Sequence, residues 1–157
     1  MIIAYYAGSG GHTYVKHLTG HDVQYGHHDL EYIVENKSYQ HYPIVLTHCL
    51  NYSLLLKKFP LHSDITFLIA NPKDCWRRKF IIYSKNHNIQ TNDQYDFALN
   101  YIKNVIDYYK KYPVEYGNAT VFDIETYDEP IFNLLKDNIN SASNEVFDTA
   151  WTEIFGQ

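Results

Sequence analysis

The sequence predicts an α/β fold, three-layer α/β/α, with a central parallel sheet. Two observations carry this reading. Short apolar runs recur at Ile2–Tyr6, Pro43–Thr47, Ile65–Ile69 and Ala119–Ile124, and segments of helical spacing separate them. Strands alternating with helices favour parallel pairing, with helices on both faces of the sheet. At 157 residues the chain is read as one domain, long enough to bury roughly 68–70% of its unfolded surface.

The first run ends in Ala7-Gly8-Ser9-Gly10-Gly11-His12-Thr13, followed by the amphipathic Tyr14-Val15-Lys16-His17-Leu18. Strand, glycine loop, helix is the order in which consecutive backbone N–H groups turn toward one anion at the positive end of a helix. The expectation is a phosphate or sulfate cradle made by Gly8, Ser9, Gly10, Gly11, His12 and Thr13. A plain tight turn is the competing reading. Gly20 is placed to end the helix, and Asp22 to Tyr42, polar and histidine-rich, has no assigned structure.

The β-branched run ending at Thr47 reads as a buried strand, followed by His48 and a helix from about Tyr52 to Phe59 that Pro60 ends. After Ile65–Ile69, Asn71-Pro72 opens a helix with a polar cap and a proline at its first position. That helix is expected to run to about Lys85. Asn92 or Asp93 caps the longest periodic segment, whose apolar face is Tyr95, Ala98, Leu99, Ile102, Val105, Ile106 and Tyr109. Helices follow from Glu129 to about Asp137 and from Asn144 to Phe155.

The formal net charge of −5 argues against general affinity for nucleic acid or an anionic membrane. A polyanion must therefore meet a local patch. Five of the 13 Lys and Arg residues fall between Lys73 and Lys85, including Arg77 and Arg78, the only arginines. Guanidinium groups match phosphate oxygens with a planar fork, although a solvated helix face gives the same pattern. Cys49 and Cys75 lack CxxC spacing. With no apolar run of bilayer length and no signal-peptide pattern, the expectation is a reduced, cytoplasmic protein.

Ligands of parallel sheets bind beyond the carboxyl ends of the strands. Gly8 to Thr13, Thr47-His48 and Ala70-Asn71-Pro72-Lys73-Asp74 each begin at such an end, so one crevice is expected to collect all three. These segments resemble the sulfotransferase family that uses 3′-phosphoadenosine 5′-phosphosulfate (PAPS). Ala7 to Thr13 is similar to the family's 5′-phosphosulfate loop, P-K-S-G-T-T. Leu46-Thr47-His48-Cys49-Leu50 is similar to K-T-H-L-P. Phe67 to Asp74 is similar to the strand and R-N-P-K-D signature of the 3′ phosphate, and Val121 to Pro130 is similar to a later strand with an acidic turn.

The resemblance implies a P-loop NTPase-like sulfotransferase fold, PAPS or its desulfated product PAP as ligand, and a small-molecule or glycan acceptor. It makes Gly8, Ser9, Gly10, Gly11, His12, Thr13, Asn71, Lys73, Arg77 and Arg78 candidate nucleotide contacts. His48 matches the base that takes a proton from the acceptor, a role contributing typically ~10²–10⁴-fold. The departures lie in the cations. The family's loop lysine aligns with Gly8, the lysine before Thr-His with Leu46, the signature arginine with Ala70 and the serine eight positions later with Arg78. The later R-K-G segment is absent. His12, Lys16 and Lys73 are candidates to restore charge, which makes His12 a second candidate catalytic residue.

Two other readings stand beside this one. A noncatalytic nucleotide- or partner-binding module on the same scaffold accounts for the missing cations. A P-loop kinase or NTPase needs a G-K-[ST] ending that the loop lacks. Metal binding is weighed because His17 and His21 stand four apart and His27-His28 are adjacent. Gly20 interrupts that helix and no HExxH occurs, so no metal site is expected.

Overall fold

The computed structural model of the chain describes residues 1–20, 43–62 and 64–156. Four strands form one parallel sheet: β1 (Ile2–Tyr5), β2 (Val45–Thr47), β3 (Ile65–Ile69) and β4 (Thr120–Asp123), in the order β2-β1-β3-β4. Six α-helices accompany them among the described residues: α1 (Gly11–Thr19), α2 (Tyr52–Lys58), α3 (Pro72–Asn86), α4 (Gln94–Lys111), α5 (Pro130–Asn140) and α6 (Glu145–Phe155). The α/β class and the parallel sheet agree with the sequence pattern.

Alternation along the strands sets the two faces of the sheet. Tyr5, Leu68 and Phe122 are register partners on one face. There the Phe122 ring meets Tyr14 of α1 at 6.2 Å and Phe132 of α5 at 5.7 Å. On the opposite face Phe67 meets Tyr116 at 6.0 Å, and Tyr6, next after β1, meets Tyr109 of α4 at 5.6 Å. Helices thus cover both faces, an arrangement compatible with three layers. The core strands β1 and β3 are almost wholly apolar because both of their faces are covered.

Most element boundaries fall within a few residues of the expected ones. Strand β2 starts at Val45 rather than Pro43, since proline has no N–H to give to a parallel ladder. The long helix begins at Gln94, after a 3₁₀ turn over Thr91–Asp93, and Asp93 makes no side-chain cap. Asn71 Oδ1 accepts from the Lys73 N–H at 3.0 Å, with Pro72 as the first helical residue, as the Asn-Pro pair predicts. The histidine-rich segment from Asp22 to Tyr42, with His27 and His28, lies outside the described residues.

The chain runs from β1 out to β2 and then back across β1 to β3. That reversal opens a crevice beyond the carboxyl ends of β1 and β3, where α1 and α3 begin. Phe80 anchors α3 against Phe97 of α4 and Phe147 of α6, both at 5.5 Å. No helix among the described residues is long and apolar enough to cross a membrane. Cys49 and Cys75 are both free and buried.

Candidate functional site

Beyond Tyr5 the backbone reverses in a tight turn, in which the Ser9 N–H donates to the Tyr6 carbonyl at 2.9 Å. Gly8 takes φ +92°, and a Cβ there would lie 2.0 Å from the Cys75 carbonyl oxygen of α3. The loop therefore touches the backbone of α3, which only a residue without a side chain permits. Gly10, also left-handed, is the N-cap of α1 and offers no side-chain acceptor to its first turn. The Tyr14 N–H finds the Gly10 carbonyl at 3.0 Å, while the earlier N–H groups of the helix are those that α-geometry leaves without an intrahelical acceptor.

A cleft of about 170 Å³ sits over this loop. One wall is Gly8, Gly10, Gly11, His12 and Thr13; the floor is Tyr5; the other walls are His48 and, from α3, Arg78, Lys79 and Ile82. Ser9, between two lining glycines, is fully buried, and its Oγ has no hydrogen-bond partner among the described residues. A buried hydroxyl left in that state costs free energy that a bound acceptor would offset.

Tyr5 organises the two histidines. Its ring meets His48 edge-on at 4.9 Å and His12 edge-on at 6.3 Å. Burial raises the Tyr5 pKa far above the ordinary phenol value, so its hydroxyl stays protonated and neutral. His48 is held from behind as well. Tyr109 Oη donates to the His48 carbonyl at 3.1 Å, and Tyr109 is itself stacked on Trp76 with ring centroids 6.1 Å apart.

The positive charge comes from α3. Arg78 Nη1 donates to the Gly8 carbonyl at 2.8 Å, clasping the loop. Lys79 is half-buried in the same wall, and its pKa is lowered from 10.5 by that burial and then by neighbouring Arg78. Its ammonium also lies 5.8 Å from the Tyr83 ring centre. Among the described residues no carboxylate stands within ion-pair distance of Arg78 or Lys79. Two cations lining one cleft with the start of a helix form an arrangement whose charge and N–H donors suit an anion.

Of the candidates from the sequence, the cleft gathers Gly8, Gly10, Gly11, His12, Thr13, His48 and Arg78, with Ser9 directly behind. It does not gather Asn71, Lys73 or Arg77. The Asn71 side chain caps α3. Arg77 gives Nε and Nη2 to Asp148 Oδ1 at 2.8 and 2.6 Å, and Nη1 to Asp74 at 2.8 Å. Lys73 Nζ is 3.9 Å from the same Asp148 oxygen. Both cations are thus turned to a carboxylate on α6. Lys79, Tyr5 and Ile82 were not singled out from the sequence; the available signal was that Lys79 belongs to the basic run and Ile82 follows Arg78 by one helical turn.

Among the described residues no group of three metal-ligating side chains converges. Family models, curated proteins and solved structures give no match to the chain.

Proposed function

We propose that the chain is a sulfotransferase-like protein that binds PAPS or PAP in this cleft and passes a sulfuryl group to a hydroxyl or amine acceptor. The observation that carries the reading is the meeting of the glycine loop, the start of α1, Arg78 and His48 around one cleft. The first turn of α1, which its Gly10 N-cap leaves without a side-chain cap, and the Ser9 hydroxyl, unpartnered among the described residues, suit the oxygens of a phosphosulfate.

PAPS supplies an electrophilic sulfur, whose bond to the bridging phosphate oxygen breaks as the acceptor oxygen or nitrogen bonds to it. His48 takes the proton that the acceptor gives up. Tyr5 packs edge-on against that imidazole and Tyr109 holds the His48 backbone through its carbonyl, which restrains the residue at the cleft wall. His12, exposed and lining the cleft, is a candidate to restore charge at the loop.

One observation favours the noncatalytic reading as the second choice. The position that resembles the family's loop lysine is Gly8, and the Cys75 carbonyl excludes any side chain there. Losing one preorganised donor to transition-state charge costs about 2.7–4 kcal/mol in a well-studied hydrolase. The two readings separate by experiment. Calorimetric titration with PAP tests binding, and PAPS consumption across hydroxyl and amine acceptors tests transfer. For an enzyme, His48→Ala retains PAP affinity and lowers transfer by ~10²–10⁴. PAP binding without transfer to any acceptor selects the binding module, and absence of PAP binding retires both.

A further inference from the structure

Four of the five cations of α3 divide into two pairs with opposite fates. Lys73 and Arg77, in its first two turns, lean on Asp74 and Asp148 and do not line the cleft. Arg78 and Lys79 line it, without a carboxylate partner among the described residues. Arg78 reaches the glycine loop itself at the Gly8 carbonyl. The backbone N–H of Lys79 lies 3.3 Å from where a Gly8 Cβ would stand. This pair therefore borders the loop that receives the 5′ end of a nucleotide, away from the Asn71 cap where a 3′ phosphate is expected.

We infer that Arg78 and Lys79 together supply from α3 the positive charge that the glycine loop lacks, so that the site recognises its nucleotide through the 5′ phosphate or phosphosulfate and draws little affinity from a 3′ phosphate. The inference rests on the nucleotide reading above and refines it. The steric argument makes the exchange coherent. Gly8 has no room for a lysine because α3 passes so close, and that same closeness lets side chains one turn further along α3 reach the loop's anion. An ammonium and a guanidinium lining one cleft suit a dianionic group with several oxygens. The fully buried Ser9 hydroxyl adds a neutral donor at the base of the same loop.

The test compares PAP, adenosine 5′-monophosphate, adenosine 3′-monophosphate and inorganic pyrophosphate by calorimetry on the intact chain and on Lys79→Gln and Lys79→Arg. The expected result is similar affinity for PAP and the 5′-monophosphate, with no measurable binding of the 3′-monophosphate. Lys79→Gln should weaken the two 5′-phosphorylated ligands about tenfold or more, and Lys79→Arg should restore most of the loss. Lys79 lies at a cleft wall, so unchanged melting temperatures in the two variants separate lost charge from lost fold. Undiminished PAP binding in Lys79→Gln, or strong preference for PAP over the 5′-monophosphate, overturns the inference and leaves the nucleotide reading intact. Pyrophosphate binding that depends on Lys79, with no nucleotide bound, retires the nucleotide reading and keeps the cation assignment. Binding of none of the four overturns both.

Discussion

Arg78 Nη1 donates a 2.8 Å hydrogen bond to the carbonyl of Gly8, seventy positions earlier in the chain. The bond ties the second turn of α3 to the loop after β1, across the crevice at which the sheet order reverses. It makes Arg78 both a wall of the cleft and a clasp on its loop. Arg78→Ala should therefore lower stability by about 1.5–3 kcal/mol, the range for a hydrogen bond to a charged group. For a chain of this size that is roughly 3–12 °C in melting temperature. PAP affinity should fall in the same variant, and calorimetry on the folded protein reads the two effects separately.

Gly8 and Gly20 make a matched pair for separating backbone strain from collision. Both have positive φ, +92° and +73°, but a Cβ at Gly20 meets nothing within 4 Å among the described residues, while one at Gly8 lands 2.0 Å from the Cys75 carbonyl. Gly20→Ala should cost only the left-handed penalty of about 1–2 kcal/mol. Gly8→Ala adds a displacement of α3 and should cost about 3–5 kcal/mol. Urea melts of the two variants check the difference. Thiol labelling offers a second readout, because burial pushes the Cys75 thiol up to about 12 and Cys49 up to about 11. Both are inert near neutral pH until the structure opens.

How far the sequence spoke depended on whether a feature was local. The Asn71-Pro72 start of α3 was legible because cap and proline act within one turn, and the Asn71 Oδ1 bond to the Lys73 N–H follows. The glycine loop was legible as a loop. The reason for Gly8 was not, since it is the Cys75 carbonyl, brought near by packing rather than by neighbouring residues. Arg77 and Arg78 were equivalent in the sequence, yet successive helical residues point about 100° apart. Asp148, on a helix 71 positions later, takes one of them. Lys79 escaped notice for the same reason: a basic run shows charge, and only the fold shows which members face a cleft.

Arg77 should behave as a structural residue. Its guanidinium links Asp74 on α3 to Asp148 on α6, with a side chain 12% exposed against 40% for Asp148. Partial exposure of the acid screens the pair, so Arg77→Ala should destabilise by about 1–2 kcal/mol rather than by the larger cost of a fully buried one. PAP affinity of the folded variant should stay unchanged. A loss of affinity comparable to that of Arg78→Ala would place Arg77 at the ligand and break the division of the α3 cations.

Lys79 makes the site sensitive to alkaline pH, and the sign follows from its neighbours. Burial first, and Arg78 second, lower its pKa from 10.5 in the free protein. Below that lowered pKa the folded chain carries a penalty for holding the ammonium, and the penalty is relieved as pH rises through it toward 10.5. A bound 5′ phosphate reverses the balance by favouring the charged form and raising the pKa. Affinity for PAP is thus fully present below the pKa of the free protein and declines as pH rises through it. Titrations from about pH 8, where the phosphate is already dianionic, up to the ordinary lysine value of 10.5 should show the decline in the wild type. Tyr5, held protonated by burial, His12 and His48 are the other titratable side chains lining the cleft with Arg78, and all are retained in Lys79→Arg. That variant keeps its charge through the range, so its affinity should stay level; a parallel decline in both proteins would assign the titration to another group.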